Sequence, residues 1–194
     1  MTFRLGLTGS IGMGKSTTAS MFADAGCAVW DADAAVHRLY GEGGAAVEPL
    51  RALFPEAIID NAVSRATLKT AIAADPSALK RIEEVVHPLV RADRAAFAEQ
   101  TRADITVFDI PLLFETGSEG EMDAVAVVKV SRETQAERVL ARGTMSEAEF
   151  EAIRAKQMPS DEKCARADFV IDTTSLETAR RDVAHVLKTI RREA

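Results

Sequence analysis

Aromatic residues are scarce in this chain: 5% of 194 positions, with one Trp and one Tyr. Single-stranded nucleic acids are bound on aromatic stacking platforms, and so few rings do not build one. Basic runs are missing too. Lys and Arg total 24 against 30 Asp and Glu, a formal net charge of −6. Together these features set aside nucleic acid as an expected partner. Only two cysteines are present, Cys27 and Cys164, far apart and in no metal-ligand spacing. Neither a disulfide framework nor a cysteine metal site is expected, and a reducing cytoplasm fits. Cys27 lies in an apolar run and is expected in the core, whereas Cys164 lies in a polar stretch. No apolar run is long enough to span a bilayer, and the chain opens into its first strand with no signal peptide. The expectation is a cytoplasmic globular protein with no membrane partner, a monomer or a small homo-oligomer.

Hydrophobic residues make up 47% of the chain and charged residues 28%, which suits a soluble enzyme able to bury a real core. The most informative stretch is Gly9–Ser16, GSIGMGKS, which fits the phosphate-loop pattern G-x-x-x-x-G-K-[ST]. A short apolar strand, Phe3–Thr8, precedes it, and a helix over Thr17–Ala25 follows, which is the context the motif requires. Glycines here let the backbone turn tightly and bring N–H groups against phosphate oxygens. The expected phosphate-binding residues are Gly12, Met13, Gly14, Lys15, Ser16 and Thr17. Lys15 reaches the β- and γ-phosphates, Ser16 ligates Mg²⁺, and Thr17 adds a hydroxyl near the α-phosphate.

Strands alternate with helices, the pattern of an α/β fold with a parallel sheet. The expected strands are Phe3–Thr8, Ala28–Trp30, Ile105–Ile110, Ala124–Val130 and Phe169–Ile171, mostly short and apolar as in sheets covered on both faces. Helical faces are read at Val47, Leu50, Leu53 and Phe54, and at Leu79, Ile82, Val85 and Val86 after an Asp75-Pro76 start. The last helix carries Leu176, Ala179, Val183, Val186, Leu187 and Ile190 on one core-facing stripe. The expected organisation is a core of about 1–59, 104–131 and 166–194, a helical acceptor-binding insertion at about 60–103, and a helical lid at about 132–165.

Asp31 and Asp33 follow the second strand, at the end that faces the ligand crevice of an open parallel sheet. Asp33 either accepts a proton from an attacking hydroxyl or caps a helix over Ala34–Tyr40, and Asp31 supports it or holds Mg²⁺ through water. Asp109, at the end of the third strand, has the look of a Walker-B acid holding Mg²⁺, or is simply a polar residue closing the strand. Glu115 touches the acceptor or sits on the surface. His87 precedes Pro88, where a kink or a fresh helix start is expected; the imidazole binds a substrate polar group or plays a structural part. On the lid, Arg138 and Arg142 are four apart on one helical face, with Arg154 and Gln157 on the next helix. They form a basic patch for the transferring phosphoryl, or a solvated face paired with Glu133 and Glu137.

No N-K-x-D guanine signature follows the loop, which disfavours a GTPase. Another small-molecule or nucleoside-monophosphate kinase, or a non-catalytic nucleotide-binding regulator, remains an alternative on these residues alone. The chain resembles the dephospho-coenzyme A kinase family over nearly its whole length. The resemblance rests on GLTGSIGMGKST at Gly6–Thr17, WDADAAVHRL at Trp30–Leu39, HPLV at His87–Val90, DIPLLFE at Asp109–Glu115, the run from Arg138 to Gln157, and ADFVIDT at Ala167–Thr173. It implies a P-loop NTPase three-layer fold with a five-stranded parallel sheet, and transfer of a phosphoryl group from ATP, with Mg²⁺, to the ribose 3′-hydroxyl of dephospho-CoA. The loop from Gly12 to Thr17 matches the family's ATP site. Asp33 matches the family's base, with Lys15 and Arg142 as its catalytic companions and Arg138 as a further lid arginine on ATP. The implied acceptor-binding set is Asp31, Asp33, His87, Leu113 and Glu115, and the implied metal ligands are Ser16 and Asp109. One departure stands out: the family often has Asn followed by Gly or Asn after ADFVID, where this chain has Thr173-Thr174.

Overall fold

Strand β1 (Phe3–Thr8) lies at the centre of the sheet and shows how the alternation of a strand is used. Leu5 and Leu7 point to one face and are fully buried in the main core. Gly6 and Thr8 point to the other, where a Cβ on Gly6 would meet Leu113 Cδ1 at 2.7 Å. The computed structural model describes residues 2–193. The chain continues through α1 (Lys15–Asp24), β2 (Ala28–Asp31), α2 (Ala32–Tyr40), α3 (Val47–Leu53), a two-residue hairpin of β3 (Ile58–Ile59) and β4 (Ala62–Val63), α4 (Arg65–Ala74) and α5 (Ser77–Gln100). Then come β5 (Ile105–Asp109), β6 (Ala124–Lys129), α6 (Arg132–Ala141), α7 (Glu147–Lys156), α8 (Ser160–Arg166), β7 (Phe169–Asp172) and α9 (Leu176–Glu193).

The chain divides into two compact units. One comprises residues 1–30 and 101–194, the other residues 31–100. The first is built on a five-stranded sheet in the order β2-β5-β1-β6-β7. β1 pairs in parallel with β5 and β6, and β6 in parallel with β7. This is the α/β fold with a five-stranded parallel sheet that the sequence pattern implies, and each strand end lies within one residue of its expected position. On one face, Met21 and Phe22 of α1 meet Ala179, Val183, Val186 and Ile190 of α9 in a shared core with Leu5, Leu7, Ile105 and Val107. Cys27 belongs to this core, and its burial pushes the thiol pKa up to about 11.

The second unit has its own core of Val47, Leu50, Phe54, Leu68, Ile82 and Val86. It starts at Asp31, so α2 and α3 pack with the helices of the 60–103 region. Asp60 and Asn61 turn the β3–β4 hairpin with φ of 48° and 56°, as the primed two-residue turn requires.

Several expectations need correction. Helix α5 continues through Pro88, so of the two expectations there, a kink or a fresh helix start, the fresh start is set aside. Proline removes one helical bond, to the carbonyl of Glu84; both residues lie on the exposed side, which leaves that carbonyl open to solvent. Helices α1 and α2 each start two residues earlier than expected, at Lys15 and Ala32. Leu53, Leu79 and Leu176 are exposed. Leu53 and Leu176 are terminal helix residues, and near the start of α5 it is Ala78 that takes the buried place.

Phe22 is fully buried and fixes α1, the helix that follows the phosphate loop. Phe22→Ala is expected to cost about 3–5 kcal/mol of stability in urea denaturation. A loss well under 1 kcal/mol would show that the core collapses around the gap.

Candidate active site

The β1–α1 turn carries the phosphate-loop motif in the setting it needs. Gly12 and Gly14 adopt φ of 78° and 84°, backbone that only glycine takes without strain. Gly12 is also a point of close approach, since a Cβ there would stand 2.4 Å from Val139 Cγ2 of α6. Helix α1 starts without a side-chain cap, whereas α2, α4, α6 and α7 are capped by Asp31, Ser64, Ser131 and Ser146. Its first-turn N–H groups, together with the helix dipole, form an anion-binding end. Ser16 and Thr17 are exposed in this turn. Met13 contributes backbone only, because its side chain is buried in the core.

Lys15 turns back from the start of α1 and forms an ion pair with the Asp109 carboxylate at the end of β5. Asp109 is 1% exposed, so this strand-end acid sits beside the loop rather than on the surface. The two expectations for Asp109 therefore meet in one residue: it closes the strand, and it faces the loop's lysine.

Asp31 Oδ1 accepts the Ala34 N–H at 2.8 Å and is the N-cap of α2. Capping thus falls to Asp31, and Asp33, expected as the alternative cap, lies exposed inside the first turn. His87 is exposed in the middle of α5. Leu113 is fully buried against Gly6, so its side chain serves the core rather than a substrate surface.

Glu115 accepts hydrogen bonds from Lys163 Nζ and from the Met158 N–H, each at 2.9 Å. Burial alone would raise its pKa, but the Lys163 ammonium and the Met158 N–H outweigh that and hold the carboxyl below the usual glutamate range. Lys163 is fully buried, a rare place for lysine without a partner.

On α6, Arg138 does not pair with Glu133 or Glu137. It donates to the carbonyls of Thr173 at 2.7 Å and Thr174 at 3.2 Å, in the turn after β7. Thr173 in turn donates from Oγ1 to the Met13 carbonyl at 2.7 Å, so the residue that departs from the family pattern buttresses the phosphate loop. Arg142 is exposed at the C-terminal cap of α6. Arg154 lines a cleft of about 550 Å³ with Ser10, Ser131, Gln135, Gln157 and Pro159.

Sequence reasoning missed Lys163 and Gln135. Gln135 is buried and donates to the Ile11 carbonyl at 2.7 Å. Nothing in the local pattern marks either residue, since their partners lie far away in the chain or on the backbone.

Fold, phosphate loop and strand-end acid define a P-loop kinase. The dephospho-CoA kinase family model matches residues 3–178. A dephospho-CoA kinase from Ruegeria pomeroyi is 68% identical over 191 residues, covering 98% of this chain and 97% of that protein. The crystal structure of TT1252 from Thermus thermophilus superposes with a TM-score of 0.86 at 35% identity, covering 99% of this chain and 97% of that one. Dephospho-CoA kinase from Campylobacter jejuni shares the fold, with a TM-score of 0.72 at 24% identity over 98% of each chain. The chain belongs to the dephospho-CoA kinase family.

The Glu115 carboxyl has a folded pKa below its ordinary value of 4.5. Its stabilisation is therefore complete above the unfolded pKa and is lost as pH falls through the folded one. Unfolding followed from pH 7 to pH 3 should show a loss of stability below about pH 4.5 that is smaller in Glu115→Gln. Identical acid limbs in the two proteins would contradict this.

Proposed function

We propose that Lys15, Asp33 and Arg142 carry out on ATP and dephospho-CoA the phosphoryl transfer that defines the family. The activity is dephospho-CoA kinase activity, the final step of coenzyme A biosynthesis. The single observation that carries the assignment of roles is the uncapped start of α1 beneath the glycine loop, with Lys15 turned onto Asp109.

In this reading the loop N–H groups from Gly12 to Thr17 and the α1 dipole hold the ATP phosphates. Lys15 leaves Asp109 for the β- and γ-phosphates, where its charge offsets what builds up during transfer. Asp33, released from capping by Asp31, accepts the proton of the ribose 3′-hydroxyl. The oxygen of that hydroxyl attacks the γ-phosphorus in line, the bond to the β–γ bridging oxygen breaks, and ADP leaves. Arg142 supplies positive charge to the transferring group, and Arg138 braces the turn beside the nucleotide. Asp31, His87 and Glu115 border the acceptor, Asp31 and Glu115 indirectly through the elements they fix.

Ser16 and Asp109 suit Mg²⁺, which takes few protein oxygens when it arrives with nucleotide phosphates. When bound, the ion neutralises phosphate charge. The acceptor-binding part is the insertion at about 60–103, which belongs largely to the compact unit of residues 31–100, and the α6–α8 region is the lid. No described helix is long and apolar enough to cross a membrane. The cytoplasmic setting is part of the same proposal, supported by the free thiols of Cys27 and Cys164.

Asp33→Asn should lower kcat by roughly 10²–10⁴ and leave ATP affinity unchanged, read by steady-state kinetics and nucleotide titration. An unchanged kcat would reduce Asp33 to a first-turn helix residue. Lys15→Ala should abolish most turnover in the same assay, and near-normal kcat would remove Lys15 from the phosphate site.

A further inference from the structure

The short connection between α7 and α8 touches two loops at once. At its first residue, Gln157 Oε1 accepts the Ile11 N–H at 3.3 Å. Gln135 Nε2 donates to the carbonyl of the same residue at 2.7 Å. Both polar groups of Ile11, inside the phosphate loop, are therefore held by lid glutamines. One residue further on, the Met158 N–H donates to Glu115 Oε1 at 2.9 Å. Glu115 is bound to the fully buried Lys163, whose Nζ also lies 3.5 Å from the Pro111 carbonyl. Thr8, the last residue of β1, donates from Oγ1 to that same carbonyl at 3.1 Å. A chain of hydrogen bonds thus leads from the phosphate loop through residues 157–158 to the segment that directly follows Asp109.

A contact that only packed the lid onto the core would need apolar surface. This one consists of polar groups with defined directions, including a buried ammonium whose desolvation is tolerated only with good geometry. Hydrogen bonds of this kind fix register more than they add stability. Phosphoryl transfer is sensitive to register, because a misplacement of about 1 Å can cost about 10² in rate.

We propose that the Gln157–Met158 segment is a strap that sets the phosphate loop against the Asp109 strand end, with Gln157 and Lys163 as positioning residues for phosphoryl transfer. This rests on the reading of the 9–17 loop as the ATP phosphate cradle. Gln157 removes one degree of freedom from that cradle by holding the Ile11 N–H. Lys163 does the same for the far anchor by holding Glu115 and the Pro111 carbonyl together.

Steady-state kinetics with ATP and dephospho-CoA, paired with thermal unfolding, test the strap. Gln157→Met keeps the side-chain length and loses the acceptor. It is expected to lower kcat about tenfold or more, with KM for dephospho-CoA within about twofold and an almost unchanged Tm. Gln157→Glu keeps the acceptor and adds a negative charge. Its kcat is expected to return to within about threefold of the parent, with a raised KM for ATP. Lys163→Met takes the ammonium partner from the Glu115 carboxylate and is expected to unfold early. The double variant Lys163→Met with Glu115→Gln should recover Tm while kcat stays low. A Gln157→Met enzyme with kcat within twofold of the parent, or a double variant whose kcat recovers together with Tm, would overturn the proposal. In either of those cases a Lys15→Ala variant that is still inactive leaves the cradle reading standing, and an active one overturns that reading as well.

Discussion

The turn between β1 and α1 is the constraint to which the rest of the molecule answers. A phosphate-binding loop must leave backbone N–H groups unpaired and pointed at open space, so it cannot be held by a ladder of its own. This one is held from outside. Thr173 bonds the Met13 carbonyl, Gln135 and Gln157 bond Ile11, and Val139 fills the space against Gly12. The parallel sheet supplies the remaining support, because β1 is its central strand and is paired on both sides.

Charge is distributed to the same end. The chain is acidic overall, yet cations gather on the cleft walls at Lys129, Arg132 and Arg154. Each is paired with a carboxylate: Lys129 with Asp161, and Arg132 and Arg154 with Glu151. Such partly exposed pairs are weak, so these cations exchange partners cheaply when a more strongly charged ligand arrives. The Lys15–Asp109 pair follows the same logic at closer quarters, since it keeps a buried carboxylate compensated beside an anion site.

The sheet was legible because its three inner strands β1, β5 and β6 are largely buried on both faces and so read as short apolar runs between glycine or polar breaks. The loop was legible because its glycine spacing is dictated by φ values that other residues avoid. At Asp31 and Asp33 the sequence offered two acids, and only the actual start of α2 decides which one caps. Pro88 permitted a fresh helix start by residue type, but the helix continues because the missing bond lies on the exposed side. Leu53, Leu79 and Leu176 fit a helical stripe by spacing, yet two of them lie at helix ends and the third near one, where the core no longer covers the face. Lys163 and Gln135 were not legible at all. A buried lysine looks like any surface lysine in a polar segment until its partner Glu115 is brought to it by the fold. A glutamine that bonds a distant backbone leaves no trace in composition or period.

The most direct test of the account is the product itself. The protein is incubated with ATP and Mg²⁺, with and without dephospho-CoA, ADP release is followed, and the product is analysed by mass and ³¹P NMR. The account predicts ADP release that depends on dephospho-CoA, one phosphate gained per ADP formed, and a phosphomonoester at the ribose 3′ position. Folded protein that binds ATP but gives no stimulation by dephospho-CoA, or a phosphate at any other position, would contradict it.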